Sequence, residues 1–111
     1  MNEQSLRDLI EHTRYNDTES VKSSLGKISN LPEGTDITPL LDALSSDNTN
    51  IRKFAAEALG LIKNETSVNH LIKALNDKSI YVRKLSADAL GNIGSKTAVP
   101  HLIQIINDEN I

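Results

Sequence analysis

Between Leu41 and Leu102 one 31-residue unit is written twice in immediate succession, Leu41 to Leu71 and Ile72 to Leu102, and the two copies align without a gap. Thirteen of the 31 positions are identical, among them Arg52/Arg83, Lys53/Lys84, Ala56/Ala87, Ala58-Leu59-Gly60/Ala89-Leu90-Gly91 and His70-Leu71/His101-Leu102. A period of this length, filled with helix-forming residues, is the mark of a stacked helical-pair solenoid, in which each unit buries its apolar face on its neighbour. That constraint outweighs length: at 111 residues a single central core would be modest, whereas a solenoid adds core with each unit.

Within each unit the apolar residues fall at helical spacing. Ile37-Leu40-Leu41-Leu44, Val68-Leu71-Ile72-Leu75 and Val99-Leu102-Ile103-Ile106 predict three first helices. The second helices are expected from about Asn50 to Ile62 and from about Ile80 to Ile93. Their buried stripes read Ile51, Ala55, Ala58, Leu59 and Ile62, then Val82, Ser86, Ala89, Leu90 and Ile93. Thr35, Thr66 and Thr97 recur one period apart just ahead of the first helices and are expected as N-caps. Gly60 and Gly91 fall before the last apolar residue of each second helix, where they serve close packing or mark a fraying end.

A degenerate unit precedes the regular pair. Leu6, Leu9 and Ile10 stand one period before Ile37, Leu40 and Leu41, with Ser5 available as N-cap. A further helix is expected from Asp17 or Thr18 to about Ile28, but its Ser24-Leu25-Gly26 matches Ala58-Leu59-Gly60 at a separation of 34 rather than 31. The three extra residues fit the Asn30-Leu31-Pro32-Glu33-Gly34 turn. The domain therefore reads as residues 5–30, a capping unit; 36–63 and 66–94, two regular units; and 97–108, a terminal helix without a partner. Ile103, Ile105 and Ile106 on that last helix are candidates for an edge contact, through weak self-association or docking.

The run from Leu75-Asn76-Asp77 through Tyr81-Val82-Arg83-Lys84 to Ala87-Asp88-Ala89-Leu90-Gly91-Asn92-Ile93-Gly94, then Ala98-Val99-Pro100-His101-Leu102, resembles the short HEAT-like repeat of the phycocyanobilin lyase type. The resemblance covers Asp36 to Asp108 and implies an all-α, right-handed α-solenoid whose second helices line a concave face. Members of that group include scaffolds, bilin lyase subunits, a DNA glycosylase branch and a metal-dependent hydroxylase, so the resemblance implies a fold more narrowly than an activity.

Charge and composition prune the functional classes. A net charge of -3 and a pI near 5.5 disfavour wholesale binding to a phosphate backbone, and two tyrosines without tryptophan give little for base stacking. With no cysteine there is no disulfide, thiolate metal site or cysteine nucleophile, and no apolar run reaches membrane-spanning length. The expectation is a cytoplasmic protein without cofactor. His70 and His101 sit at equivalent positions on successive helices, about 10 Å apart by stacking geometry, too far to share one metal ion. No nucleophile, base and orienter assemble into a catalytic set.

Two constellations remain. Arg52, Asp77, Arg83 and Asp108 recur with the period and read as a structural ladder, each arginine bonding the turn aspartate of its own or a neighbouring unit; the other reading is a set of anion-binding arginines. Asn50, Lys53, Glu57, Tyr81, Lys84, Asp88 and Asn92 fall on the polar side of the second helices and are the candidate face for a protein partner, continued by Glu19, Ser23 and Lys27. Tyr81 is the candidate anchor. Lys53/Glu57 and Lys84/Asp88 at i, i+4 have the spacing of helix-supporting ion pairs as well. The leading function is a non-enzymatic interaction or scaffold module; the alternatives are an accessory subunit of a bilin-lyase-like activity or a nucleic-acid-binding HEAT-like protein.

Overall fold

The computed structural model describes residues 3–94 together with Lys96, Pro100 and Ile103. Among them there is no strand. Six helices follow in order: α1 (Glu3–Glu11), α2 (Thr18–Ser29), α3 (Thr38–Ala43), α4 (Thr49–Ile62), α5 (Val68–Ala74) and α6 (Ile80–Ile93), with a 3-10 turn at Glu65–Ser67 ahead of α5. They form three helical pairs in the order that the repeat predicts. The first helices have 9, 6 and 7 residues, too short to persist alone in water, so packing rather than propensity holds them.

The second helices make the spine. α4 packs on α2 before it and α6 after it, and also touches α3 and α1; α5 lies on α6. Ile51, Ala55, Ala58 and Leu59 of α4 are buried, as are Val82, Ser86, Ala89 and Leu90 of α6, with Ile62 and Ile93 half-buried at the ends of the stripes. Leu40 and Leu71, one period apart on α3 and α5, are fully buried. Each contributes on the order of 2 kcal/mol by leaving water. Small side chains set the distance between the spine helices. A Cβ placed on Gly60 would sit 2.9 Å from the Ala89 Cα and 3.0 Å from its Cβ, so glycine here is a packing requirement. Gly60 is thus a contact residue, and the chain ends α4 three residues later instead, at Lys63, whose φ of 57° puts it in the left-handed region. Gly94, one period on, closes α6 in the same conformation at φ 75°.

Helix starts differ from expectation in an instructive way. α4 is capped by Asn48, which accepts from the Ile51 amide, and α6 by Ser79, which accepts from the Tyr81 and Val82 amides. Thr35 and Thr66, expected as caps, act as donors: the Thr35 hydroxyl reaches the Pro32 carbonyl at 2.6 Å, and the Thr66 hydroxyl reaches Asn64 Oδ1 at 2.8 Å. Their turns are closed by longer-reaching acceptors, Asp36 Oδ1 taking the Thr38 amide and Asn64 Oδ1 the Thr66 amide, each at 2.9 Å. An Asx oxygen spans two residues with less strain than a β-branched hydroxyl. Ser5 lies inside α1, which begins at Glu3. Thr97 lies outside the described residues, as do Ile105, Ile106 and Asp108; of the terminal segment, Pro100 and Ile103 are helical, and Ile103 is 54% exposed.

The first unit is joined less regularly. Ser24 on α2 stands where later units have Ala58 and Ala89; it is buried, and its hydroxyl donates to the Leu9 carbonyl on α1 at 3.5 Å. The Asn50 amide on α4 donates to the Arg14 carbonyl at 2.9 Å, fastening the α1–α2 turn to the spine.

Candidate partner-binding face

α4 and α6 leave polar side chains exposed at equivalent positions, because stacked helices of equal register present the same positions side by side. Tyr81, at the first turn of α6, is 62% exposed. The Lys53 ammonium of α4 lies 5.2 Å from the centroid of its ring, a cation–π contact that crosses from one unit to the next. Glu57, Lys84, Asp88 and Asn92 are exposed on the same side. Lys53 does not pair with Glu57, nor Lys84 with Asp88, among the described residues, so these charges are not consumed in helix-supporting bridges. On α4 and α6 the lysine lies one turn nearer the helix N-terminus than the carboxylate, whereas on α2 Glu19 precedes Lys27.

Two members of the expected face have internal duties. Asn50 is half-buried and holds the Arg14 carbonyl, and Asn92 lies close against the Gly60 position. Glu19, Ser23 and Lys27 are exposed on α2, where with His12 of α1 they line a shallow hollow of about 250 Å³.

Arg52, near the N-terminus of α4, and Asp77, in the turn between α5 and α6, are placed elsewhere. Arg52 is 4% exposed. It grips Asp77 with two bonds, Nε to Oδ2 at 2.9 Å and Nη2 to Oδ1 at 3.3 Å. Its remaining donors reach the Ser46 carbonyl at 2.8 Å and the Thr49 hydroxyl at 3.3 Å. The Arg83 guanidinium repeats the second pattern, donating to the Asp77 carbonyl at 2.8 Å. Asp77 therefore serves two arginines at once, its carboxylate the preceding unit and its carbonyl its own. Asp108, one period on from Asp77, lies outside the described residues. With its donors turned inward, Arg52 is not disposed to take an external anion.

Other charged groups are locally engaged. The Arg14 guanidinium bonds Glu11 at 2.7 and 2.9 Å and holds its carboxyl below the ordinary value, chiefly through the hydrogen bond. Bonds from the Thr38 hydroxyl and amide lower Asp36 likewise. Arg7 and Asp42 meet at 3.3 Å across α1 and α3 at the surface. His12 and His70 are exposed, His101 lies outside the described residues, and no group of three or more metal-ligating side chains gathers among the described residues.

A second surface escaped the sequence reading. Leu61 is 45% exposed and stands one period before Asn92, so an apolar side chain replaces a polar one on the same side of the spine. It borders a cavity of about 510 Å³ under the Asn30–Gly34 turn. The polarity mismatch and the three-residue insertion were the signals that marked it.

A family profile described as HEAT repeats matches residues 37–111, two thirds of the chain. No curated protein matches it. No helix among the described residues is long and apolar enough to cross a membrane.

Proposed function

The chain belongs to the HEAT-repeat family, and from that premise we propose that it is a non-enzymatic interaction module whose second-helix face docks a partner protein. HEAT repeats generally serve as scaffolds for protein contacts, which supports the reading at the level of class. The observation that carries it to particular residues is the exposed Tyr81 ring held by Lys53 of the neighbouring unit. An aromatic ring fixed in this way offers contact area with little side-chain entropy left to lose on binding. Lys84, Glu57 and Asp88, exposed on the same two helices, offer charges that choose a partner by complementarity.

The test is capture from a native lysate on the wild-type chain beside a Lys53→Glu, Tyr81→Ala, Lys84→Glu variant, with retained proteins identified by mass spectrometry. Truncating a central aromatic anchor typically costs about 2 kcal/mol or more of binding, roughly thirtyfold in affinity, before the charge reversals are counted. A protein retained by the wild type and lost from the variant, with helicity unchanged, supports the face. Equal retention by both removes it as the docking surface.

A further inference from the structure

The cavity at the helix ends is a separate site, and its walls say what it takes. It lies between the turn that follows α2 and the last turn of α4, with a volume of about 510 Å³. Buried Ile28 and Ile37 form its floor; half-buried Leu31 and Ile62 and exposed Leu61 form its walls. It exists because three residues are inserted between the first and second units. Gly34 turns the chain at φ 85°, a value unfavourable for other residues, and Thr35 ties the turn through both its amide and its hydroxyl to the Pro32 carbonyl. The hollow is therefore built by bonded backbone rather than opened by a mobile side chain.

Its rim is electrically lopsided. Glu33 and Glu65 are both exposed lining residues, and neither carboxylate makes a hydrogen bond or ion pair with any described residue. Lys63 is the one cationic side chain among the lining residues. The C-terminus of α4, a 14-residue helix, ends at this rim, adding the negative end of its dipole. An apolar floor under a net negative rim repels carboxylate and phosphate and favours an aliphatic group carried beside a cation. The volume exceeds one side chain and sits toward the small end of ligand pockets.

The geometry points to an anchor pocket for a basic segment of a partner protein, one that inserts a bulky aliphatic side chain over Ile28, Ile37 and Leu61 while an adjacent lysine or arginine meets Glu33 and Glu65. This site does not depend on Tyr81, and the two surfaces fail or succeed independently.

The probe is a synthetic peptide, acetyl-Gly-Ser-Arg-Leu-Leu-Arg-Ser-Gly-amide, titrated into the isotopically labelled full chain and followed by amide chemical shifts. The expected result is saturable movement of the Leu31, Gly34, Leu61 and Lys63 amides. Replacing both leucines of the peptide by serine, or reversing the rim with Glu33→Lys and Glu65→Lys, weakens binding at least tenfold, and added salt weakens it further. Both glutamates are exposed, so the reversed variant folds, and its ability to take up the arginine-to-glutamate peptide instead is the expected complement. Four results overturn the proposal: no movement at these amides up to about 2 mM peptide, equal binding of the leucine-free peptide, equal binding of the acidic peptide to the wild type, or movement confined to the amides around Tyr81 and Lys84.

Discussion

Removing the Asp77 carboxylate tests the turn node that joins the two regular units. In Asp77→Ala the Arg52 guanidinium, whose side chain is only 5% exposed, loses both carboxylate bonds and keeps the Ser46 carbonyl and Thr49 hydroxyl. Stranding a charge in such a place costs about 3 kcal/mol, the low end for breaking a buried pair, because two polar partners remain. The substitution also deletes the Asp77 bond to the Ser79 amide, 2.8 Å long, which closes the turn into α6. That bond adds about 1 kcal/mol, as a helix cap does. The sum, about 4 kcal/mol, is a large share of the 5–15 kcal/mol that holds a domain together. In urea, with a slope of about 1.5 kcal/mol/M, the midpoint followed by far-ultraviolet circular dichroism falls by about 2.7 M. Asp77→Asn keeps an acceptor for the Ser79 amide and loses about 1 kcal/mol less. Adding Arg52→Met to Asp77→Ala recovers part of the loss, since the stranded charge is gone. A midpoint shift under about 0.7 M for Asp77→Ala would refute the reasoning, because that corresponds to about 1 kcal/mol, the ceiling for an exposed pair such as Arg7 with Asp42.

Gly60→Ala drives a Cβ to 2.9 Å from the Ala89 backbone and should destabilise by about 1–3 kcal/mol in spite of alanine's better helix propensity. Gly91→Ala, at an exposed site with no described atom within 4 Å, should stabilise by up to about 1 kcal/mol; equal thermal midpoints for the two variants would contradict the packing argument. Ser86 is fully buried with no partner for its hydroxyl among the described residues, where the preceding unit has Ala55, so Ser86→Ala should raise stability by about 1 kcal/mol, and a loss in chemical denaturation counts against this. Because Thr38 lowers the folded Asp36 pKa, the stabilisation is present above the ordinary carboxylate value and disappears as pH falls through the lowered folded one. The Thr38 amide shift should therefore titrate with a midpoint below about 3.9, the unperturbed aspartate value, and Asp36→Asn should abolish that titration; a midpoint at or above that value argues against the turn bonds.

Much of the architecture was legible because a repeat reports its own geometry. Identical positions such as Leu59/Leu90 and Ala58/Ala89 must meet equivalent neighbours, so period, helix limits and buried stripes could be read without coordinates of any atom. Local chemistry was less legible. Thr35 and Thr66 have the residue type and spacing of caps, but Asp36 takes the Thr38 amide and Asn64 the Thr66 amide, while both threonine hydroxyls act as donors. The Arg52 and Asp77 recurrence announced an ion pair while leaving open whether it lay within a unit or between units. The ion pair lies between units, Arg52 to the Asp77 carboxylate, while within the unit Arg83 bonds the Asp77 carbonyl.

What the sequence by itself determined is the class of object: an all-helical solenoid of three pairs, with the second helices as its spine and one polar side left over. Pattern suffices there because burial of apolar surface is non-directional and follows period. Tertiary structure alone decided how that side is used. It laid Lys53 over Tyr81 rather than beside Glu57, engaged Asn50 on a backbone carbonyl, and turned the Asn30–Gly34 insertion into a walled cavity beside Leu61. Each outcome depends on distances of a few ångströms between residues far apart in the chain, and hydrogen bonds and ring contacts are lost over such distances while hydrophobic periodicity is not.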